Sequence, residues 1–271
     1  MRIAILSDIH GNLAALRAVV SDIARRGVDA IVNLGDSLSG PLQPLETAEY
    51  LMAQSWVQLA GNHERQLLDF SAEKRGPSDR YAHSQLNAPV FEWMAKLKPA
   101  QRFSDEIFLC HGTPRSDIEY FLDTIDGPRA RAATDEEVEE RLGSVTGNVV
   151  VCGHTHIPRI IRSRQGQLLV NPGSVGLPAY EDDNPHYHVV ENGSPDSRYA
   201  ILERHNGSWS AQLLAVPYDH TASARLAKLR GRHDWEGALT HGYVKAANRS
   251  LRPTVAGGGR FLDGHRSPML K

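Results

Sequence analysis

A run of β-branched residues, Val149-Val150-Val151, leads through Cys152-Gly153 into His154-Thr155-His156. In an extended chain alternate side chains share a face, so His154 and His156 project together. Asp8 and His10 repeat that one-residue gap just after the apolar run Arg2–Leu6. Three more apolar runs end in the same kind of residue. Gly35-Asp36 follows residues 30–34, Gly61-Asn62-His63-Glu64 follows 57–60, and His111-Gly112 follows Ile107–Cys110. Open α/β sheets place their ligands at the carboxyl ends of strands. The inventory is two carboxylates (Asp8, Asp36), four histidines (His10, His111, His154, His156) and the carboxamide oxygen of Asn62. Imidazole suits Zn, Fe, Mn or Ni, and carboxylate suits harder ions such as Mn. Seven ligands exceed one tetrahedral centre and fit two divalent ions sharing a bridge, roughly 3.5–4 Å apart in two-metal hydrolases. Such a pair neutralises phosphoryl oxygens and readies a water for in-line attack.

These five blocks, in this order, resemble the signature blocks of the calcineurin-like metallophosphoesterases over roughly residues 1–218. The resemblance implies a four-layer α/β/β/α sandwich with mixed sheets. Carried over block by block, it implies Asp8, His10 and His156 on one metal and Asn62, His111 and His154 on the other, with Asp36 bridging. It makes His63 the uncoordinated histidine beside the scissile phosphate, which protonates the leaving alkoxide and is worth about 10²–10⁴-fold. Asn12 has two readings: cap of the helix that begins at Leu13, or substrate-binding support of the site.

The elements between the blocks alternate in type. The apolar runs are short and continuous, as in strands covered on both faces. Leu13, Leu16, Val20 and Ile23 form a helical stripe, as do Leu45, Ala48 and Leu51, and Leu86, Val90, Met94 and Leu97. Thr134-Asp135-Glu136-Glu137 reads as a capping box opening an acidic helix with Val138 and Leu142 inward. After Pro158 the pattern turns to hairpins: 159–163 with 167–170, and 199–203 with 209–216 around Asn206-Gly207, the favoured type I′ pair. Strands alternating with helices and then hairpins predict an α/β sandwich with a mixed sheet. From Asp219 a helical stretch carries Leu226 and Leu229, so residues 219–271 read as a helical extension and a loose tail rich in Gly, Pro and Arg.

Bulk composition narrows the partners. A formal charge of -2 over 271 residues offers no global attraction for nucleic acid or a membrane surface. Cys110 and Cys152 make no disulfide framework and read as buried thiols. No apolar run approaches a bilayer span, and the N-terminal run is too short for a secretion signal, so the expected location is cytoplasmic. The oligomeric state leaves no trace in the sequence. Lys245, Arg249, Arg252, Arg260, Arg266 and Lys271 make the tail basic, a solvated end in the simplest reading. Arg115, His83, His186, His188 and His205 read as ordinary surface or packing residues, and Asn171-Pro172-Gly173-Ser174 as a structural turn.

The substrate class turns on one departure. Phosphoprotein phosphatases of the family follow their Gly-Asp block with a phosphate-gripping arginine. Here the chain runs Ser37-Leu38-Ser39-Gly40-Pro41. That resembles the compact bacterial phosphodiesterases, some of whose relatives cleave dinucleoside polyphosphates. A small phosphoester or nucleotide is the expected partner, in a pocket shaped by residues 71–81, 115–131 and 180–197. A metal-binding scaffold of the same fold is the non-enzyme reading, disfavoured because the His63-type residue and every ligand are present.

Overall fold

The computed structural model describes residues 1–244, and the basic tail from Lys245 onward lies outside the described residues. Elements are numbered in chain order. The first sheet has the order β14-β13-β1-β2-β3. In it β1 (Arg2–Leu6), β2 (Ala30–Asn33) and β3 (Val57–Gln58) run parallel, and β13 (Ser197–His205) joins β1 antiparallel and makes a hairpin with β14 (Ser208–Val216). The second sheet has the order β4-β5-β8-β10-β9. Its parallel centre is β5 (Ile107–Cys110), β8 (Val149–Val151) and β10 (Leu168–Asn171), edged by β4 (Ala100–Arg102) and β9 (Arg159–Arg162).

The two sheets face each other across one core. Ile3, Ile5, Val32 and Leu34 from the first meet Ile107, Leu109, Val149, Val151 and Val170 from the second. Helices cover the outer faces. Leu13, Leu16, Val19 and Ile23 of α1 (Leu13–Arg26) and Leu51 of α2 (Pro44–Met52) pack on Ala4, Leu6 and Tyr199. Val138 and Leu142 of α6 (Asp135–Leu142) pack on Val150, Cys152 and Leu169, and Thr134 and Glu137 form the expected capping box. The layers run α/β/β/α, as the resemblance implies.

Three features differ from expectation: the α4–α5 region, a third sheet and the extension. The stripe Leu86–Val90–Met94–Leu97 is not one helix: α4 (Pro77–Gln85) ends at its cap Leu86, Asn87 caps α5 (Ala88–Met94) by accepting from the Val90 N–H at 3.3 Å, and Leu97 lies beyond that helix. Asn at a cap and Pro89 in the first turn start a new helix there. A third sheet, β11-β12-β7-β6, built from β6 (Asp123–Asp126), β7 (Arg129–Ala132), β11 (Ala179–Asp182) and β12 (His188–Glu191), has strands too short and polar to show a period. Cys110 and Cys152 are buried, as expected. In the extension, α7 (His220–Leu229) buries Ala224 and Ala227 while Leu229 is 78% exposed. It packs with α8 (His233–His241) through Trp235, Ala238 and Leu239 onto Leu42, Leu177 and Ala179, so this stretch is bound to the body of the fold.

Candidate active site

The loops that leave β1, β2 and β8 are twisted out of ordinary strand geometry. Asp8, His10, Asp36, His154 and His156 have φ of 57°, 52°, 53°, 66° and 59°. Only one other non-glycine among the described residues is left-handed, Asn206 in its hairpin turn. Such backbone costs of order 1–3 kcal/mol per residue and persists where surrounding contacts over-determine it. Here they do. The Asp8 N–H donates to Gly35 O, the His10 N–H to Asp36 O, and the His154 N–H to Asp8 Oδ2, at 3.0, 3.0 and 3.1 Å. The buried Glu64 carboxylate accepts from the Asp36, Ser37 and Gly61 N–H groups, each at 2.8 Å. It thereby ties the loop after β2 to the start of α3 (Asn62–Asp69). Gly61 and Gly153 are required by close approach: a Cβ on either would collide with Asp36 Oδ1 or Ser7 Oγ.

This scaffold gathers the expected residues into two groups, Asp8–His10–His156 and Asp36–His111–His154, each with ligand atoms within 4.8 Å of one another. Asn62 Oδ1 lies 3.2 Å from His111 Nε2 and joins the second group. Backbone carbonyls fix the rings. His10, His111 and His156 each give their Nδ1–H to a carbonyl, of Ser39, Leu34 and Leu177, at 2.7, 2.9 and 2.7 Å. Their Nε2 lone pairs therefore face the centre, the arrangement typical of metal-ligating histidines. His154 is reversed, giving Nε2–H to Ile118 O at 3.1 Å and keeping Nδ1 as the lone-pair atom. The result is crowding of acceptors. His10 Nε2 and His156 Nε2 stand 3.1 Å apart, His156 Nε2 is 3.4 Å from Asp8 Oδ1, and that buried oxygen has no hydrogen-bond donor. Lone pairs so placed repel unless a cation or proton sits among them. The donor set, mixed imidazole, carboxylate and amide oxygen, suits a divalent transition ion.

The electrostatics make the same demand. Burial would raise the Asp36 carboxyl, but His111 and His63 outweigh it and hold it well below the usual range. Burial would raise Asp8 as well, and His156 brings it down. Burial and the neighbouring His156 push His10 down to about 4, and burial with His111 takes His154 to about 4, which keeps both rings neutral and able to ligate. Burial lowers His111 too, yet Asp36 lifts it to about 9. The paired carboxylates thus draw positive charge onto this spot, a role divalent cations fill.

His63 points elsewhere. Its Nδ1 donates to Asp79 Oδ1 of α4 at 2.8 Å, which turns Nε2 toward a cavity of about 610 Å³ that also holds His10, Asp36, Asn62, His154 and His156. Burial opposes its charge, but Asp36 and Asp79 lift it to about 10. Nothing local in the sequence marks Asp79 as its partner. Replacing Asp79 by Asn should cost about tenfold or more in kcat with metal content unchanged, because the ring loses its orienting carboxylate. Elemental analysis beside steady-state kinetics checks this, and an unaltered kcat removes the role.

The third sheet and the loop that leads into it supply two more unexpected neighbours. The Tyr120 and Tyr180 rings stand edge-on to His154 and His156, with centroids 5.1 and 4.7 Å away, and their hydroxyls meet at 2.5 Å. His188, whose Nδ1–H goes to His186 O, accepts from the Tyr120 hydroxyl at 3.0 Å, so Tyr120 in turn accepts from Tyr180. Of the expected pocket segments, 71–81 contributes Lys74 and Gly76 to Asp79, and 180–197 contributes Tyr180 to Asn184. Segment 115–131 stays off the cavity lining, and α8 with its N-cap residue brings Asp234, Trp235 and Arg232 instead.

Asn12 also departs from its substrate-binding reading. Its Oδ1 accepts from the Ala15 N–H and the Ser223 hydroxyl, and its amide donates to Gly176 O and Tyr218 Oη, at 2.9–3.3 Å. Buried and absent from the cavity lining, it is a helix cap whose hydrogen bonds are all internal. Ser174 supports the site from below, donating to Asp8 O at 2.7 Å. Arg115 is paired with Glu119 and Glu140 on the surface.

Residues 1–194 match the Calcineurin-like phosphoesterase superfamily domain. Protein MJ0912 of Methanocaldococcus jannaschii is 28% identical over 242 residues, 80% of this chain and 88% of that one. Phosphodiesterase YfcE of Escherichia coli (strain K12) is 28% identical over 204 residues, 71% and 88% of the two chains. The crystal structure of a metallophosphoesterase from Sphaerobacter thermophilus superposes with a TM-score of 0.71 at 24% identity, covering 89% of this chain and 99% of that one, and so shares its fold. With the ordered blocks delivered to one cavity, these likenesses identify the chain as a member of the calcineurin-like phosphoesterase superfamily, a metal-dependent family, and as a hydrolase of phosphoester bonds.

Proposed function

We propose that the protein is a two-metal phosphodiesterase acting on a small or nucleotide-derived phosphodiester, with His63 as general acid. Asp8, His10 and His156 would hold one ion, Asn62, His111 and His154 the other, and Asp36 both. The observation that carries the reading is the facing pair of imidazole lone pairs, His10 Nε2 and His156 Nε2, 3.1 Å apart beside the donorless Asp8 Oδ1. When bound, two divalent cations neutralise phosphoryl oxygens and supply a nucleophile at neutral pH. The chain's own groups do the rest. Asp36 draws the two ligand groups together, Asp79 fixes the His63 ring, and His63 Nε2–H is aimed at the leaving oxygen. Mn suits the mixed oxygen and imidazole set best, with Fe, Zn and Ni as the other candidates.

A diester is favoured because the segment after Asp36 puts buried Leu38 and the two small serines where a phosphate-gripping arginine would stand. The relative from Escherichia coli is named a phosphodiesterase, which agrees. Reconstitution with Mn should give two ions per chain by elemental analysis. The loaded protein should then show a higher kcat/KM on bis(p-nitrophenyl) phosphate than on a phosphoserine peptide. One ion or fewer contradicts the two-metal reading, and a better phosphopeptide contradicts the diester.

A further inference from the structure

The cavity has one wall that lies beyond the stretch matched to the family, which ends at residue 194. On that wall Trp235 is 4% exposed and stands edge-on to the His10 ring, with centroids 6.1 Å apart at 78°. Gly40 makes room for it, since a Cβ there would lie 2.8 Å from the indole Cη2. The Arg232 guanidinium lies over the same indole, 5.7 Å from its centroid. Arg232 is held in one pose. Its Nη2 and Nε donate to Asp234 at 2.6 and 3.0 Å, and its Nη1 donates to Ser78 Oγ at 2.9 Å. A guanidinium has five N–H groups, so this set leaves two unengaged on a side chain that lines the cavity.

A pre-organised arginine fork with spare donors suits a phosphate or carboxylate. Its position says which part of the substrate it meets. Ser78, its partner, directly precedes Asp79, whose carboxylate orients His63. His63 serves the leaving oxygen, so Arg232 stands on the leaving-group side, and Trp235 is in ring contact with both it and His10. Glu181, Asp182 and Asp183 line the same cavity and discourage a second anion where they stand. Lys74 lines it too and adds positive charge.

We propose that Arg232 is a specificity-determining residue that pairs with an anionic group, a second phosphate, carried on the leaving half of the substrate. The preferred substrate is then a diester whose released alcohol is itself a phosphate monoester, such as a nucleotide. This rests on the diesterase reading above.

The test uses the full chain reconstituted with Mn. Dithymidine monophosphate is compared with its two derivatives bearing a terminal phosphate at the 5′ or the 3′ end. Product analysis shows which half is released. The native protein should prefer the derivative whose phosphate sits on the released half by about tenfold in kcat/KM, from one charge-assisted fork. R232Q should lose most of that preference through KM, with the metal content of the native protein. Equal losses on all three substrates, or a preference for phosphate on the retained half, overturn the assignment of Arg232. Should R232Q fail to fold, R232K keeps the cation without the fork, and its preference must fall at least about threefold; an undiminished preference overturns the proposal. Absence of hydrolysis of all three by the native protein refutes the diesterase reading itself, a result distinct from loss of the preference alone.

Discussion

Replacing Asp36 by Asn is expected to abolish activity, by on the order of 10³-fold or more, and to lower the metal content of both ligand groups together. Asp36 Oδ2 lies 3.2 Å from His111 Nε2, and its Oδ1 accepts from the His63 N–H at 2.9 Å. The carboxylate is 2% exposed and sits where burial alone would favour its neutral form, yet the surrounding imidazoles keep it ionised. An amide has nearly the same shape and keeps an oxygen for the His63 N–H, so the fold should survive. What vanishes, on the proposed two-metal reading, is the one negative charge that would be shared between two cations that repel each other. That is why the loss should be joint, whereas replacing His10 should empty mainly its own group. Elemental analysis of the Mn-reconstituted variant decides. Two ions and full turnover in D36N would show that the carboxylate does not bridge.

Legibility in the sequence followed how local each signal was. The central strands of the two main sheets are visible as short apolar runs, the edge strand Ala100–Arg102 is not, and the Asn206-Gly207 hairpin is visible because left-handed turn residues leave a chemical mark: φ is 49° and 80° there. The metal-binding candidates are legible for the same reason, since each lies within a few residues of the strand that delivers it. Asp79, Tyr120, Tyr180 and Arg232 carry no such mark. Asp79 reaches His63 from a different helix, and Tyr120 meets His188 across 68 residues of chain. Their roles exist only once the third sheet and α8 have docked. The third sheet itself escapes notice because its strands are only four residues long and none repeats a two-residue burial pattern: Arg129–Ala132 is mostly exposed, whereas His188–Glu191 is buried at three successive positions. Asn12 carries two readings for a different reason: an amide beside a ligand loop can serve either a helix end or a substrate, and only tertiary partners decide between them.

The second large effect is expected at His63, and it separates metal binding from proton transfer. His63→Ala should leave the metal content nearly unchanged, because the ring's Nδ1 is engaged by Asp79 and lies in neither ligand group. Neighbouring Asn62 begins the same helix, yet its oxygen turns to His111 while the His63 ring turns to the cavity. Turnover should fall according to the leaving group. An alkoxide of high pKa needs a proton as the P–O bond breaks, whereas p-nitrophenolate departs without one. The variant should therefore lose about 10²-fold or more on a nucleoside diester and clearly less on bis(p-nitrophenyl) phosphate. A plot of log kcat against leaving-group pKa reports this directly, with a steeper negative slope for the variant than for the native protein. Parallel slopes would assign His63 to holding the phosphate, and lost metal would make it a ligand. The Asp79 carboxylate supplies an internal control, since D79N retains the ring and its slope should fall between the two.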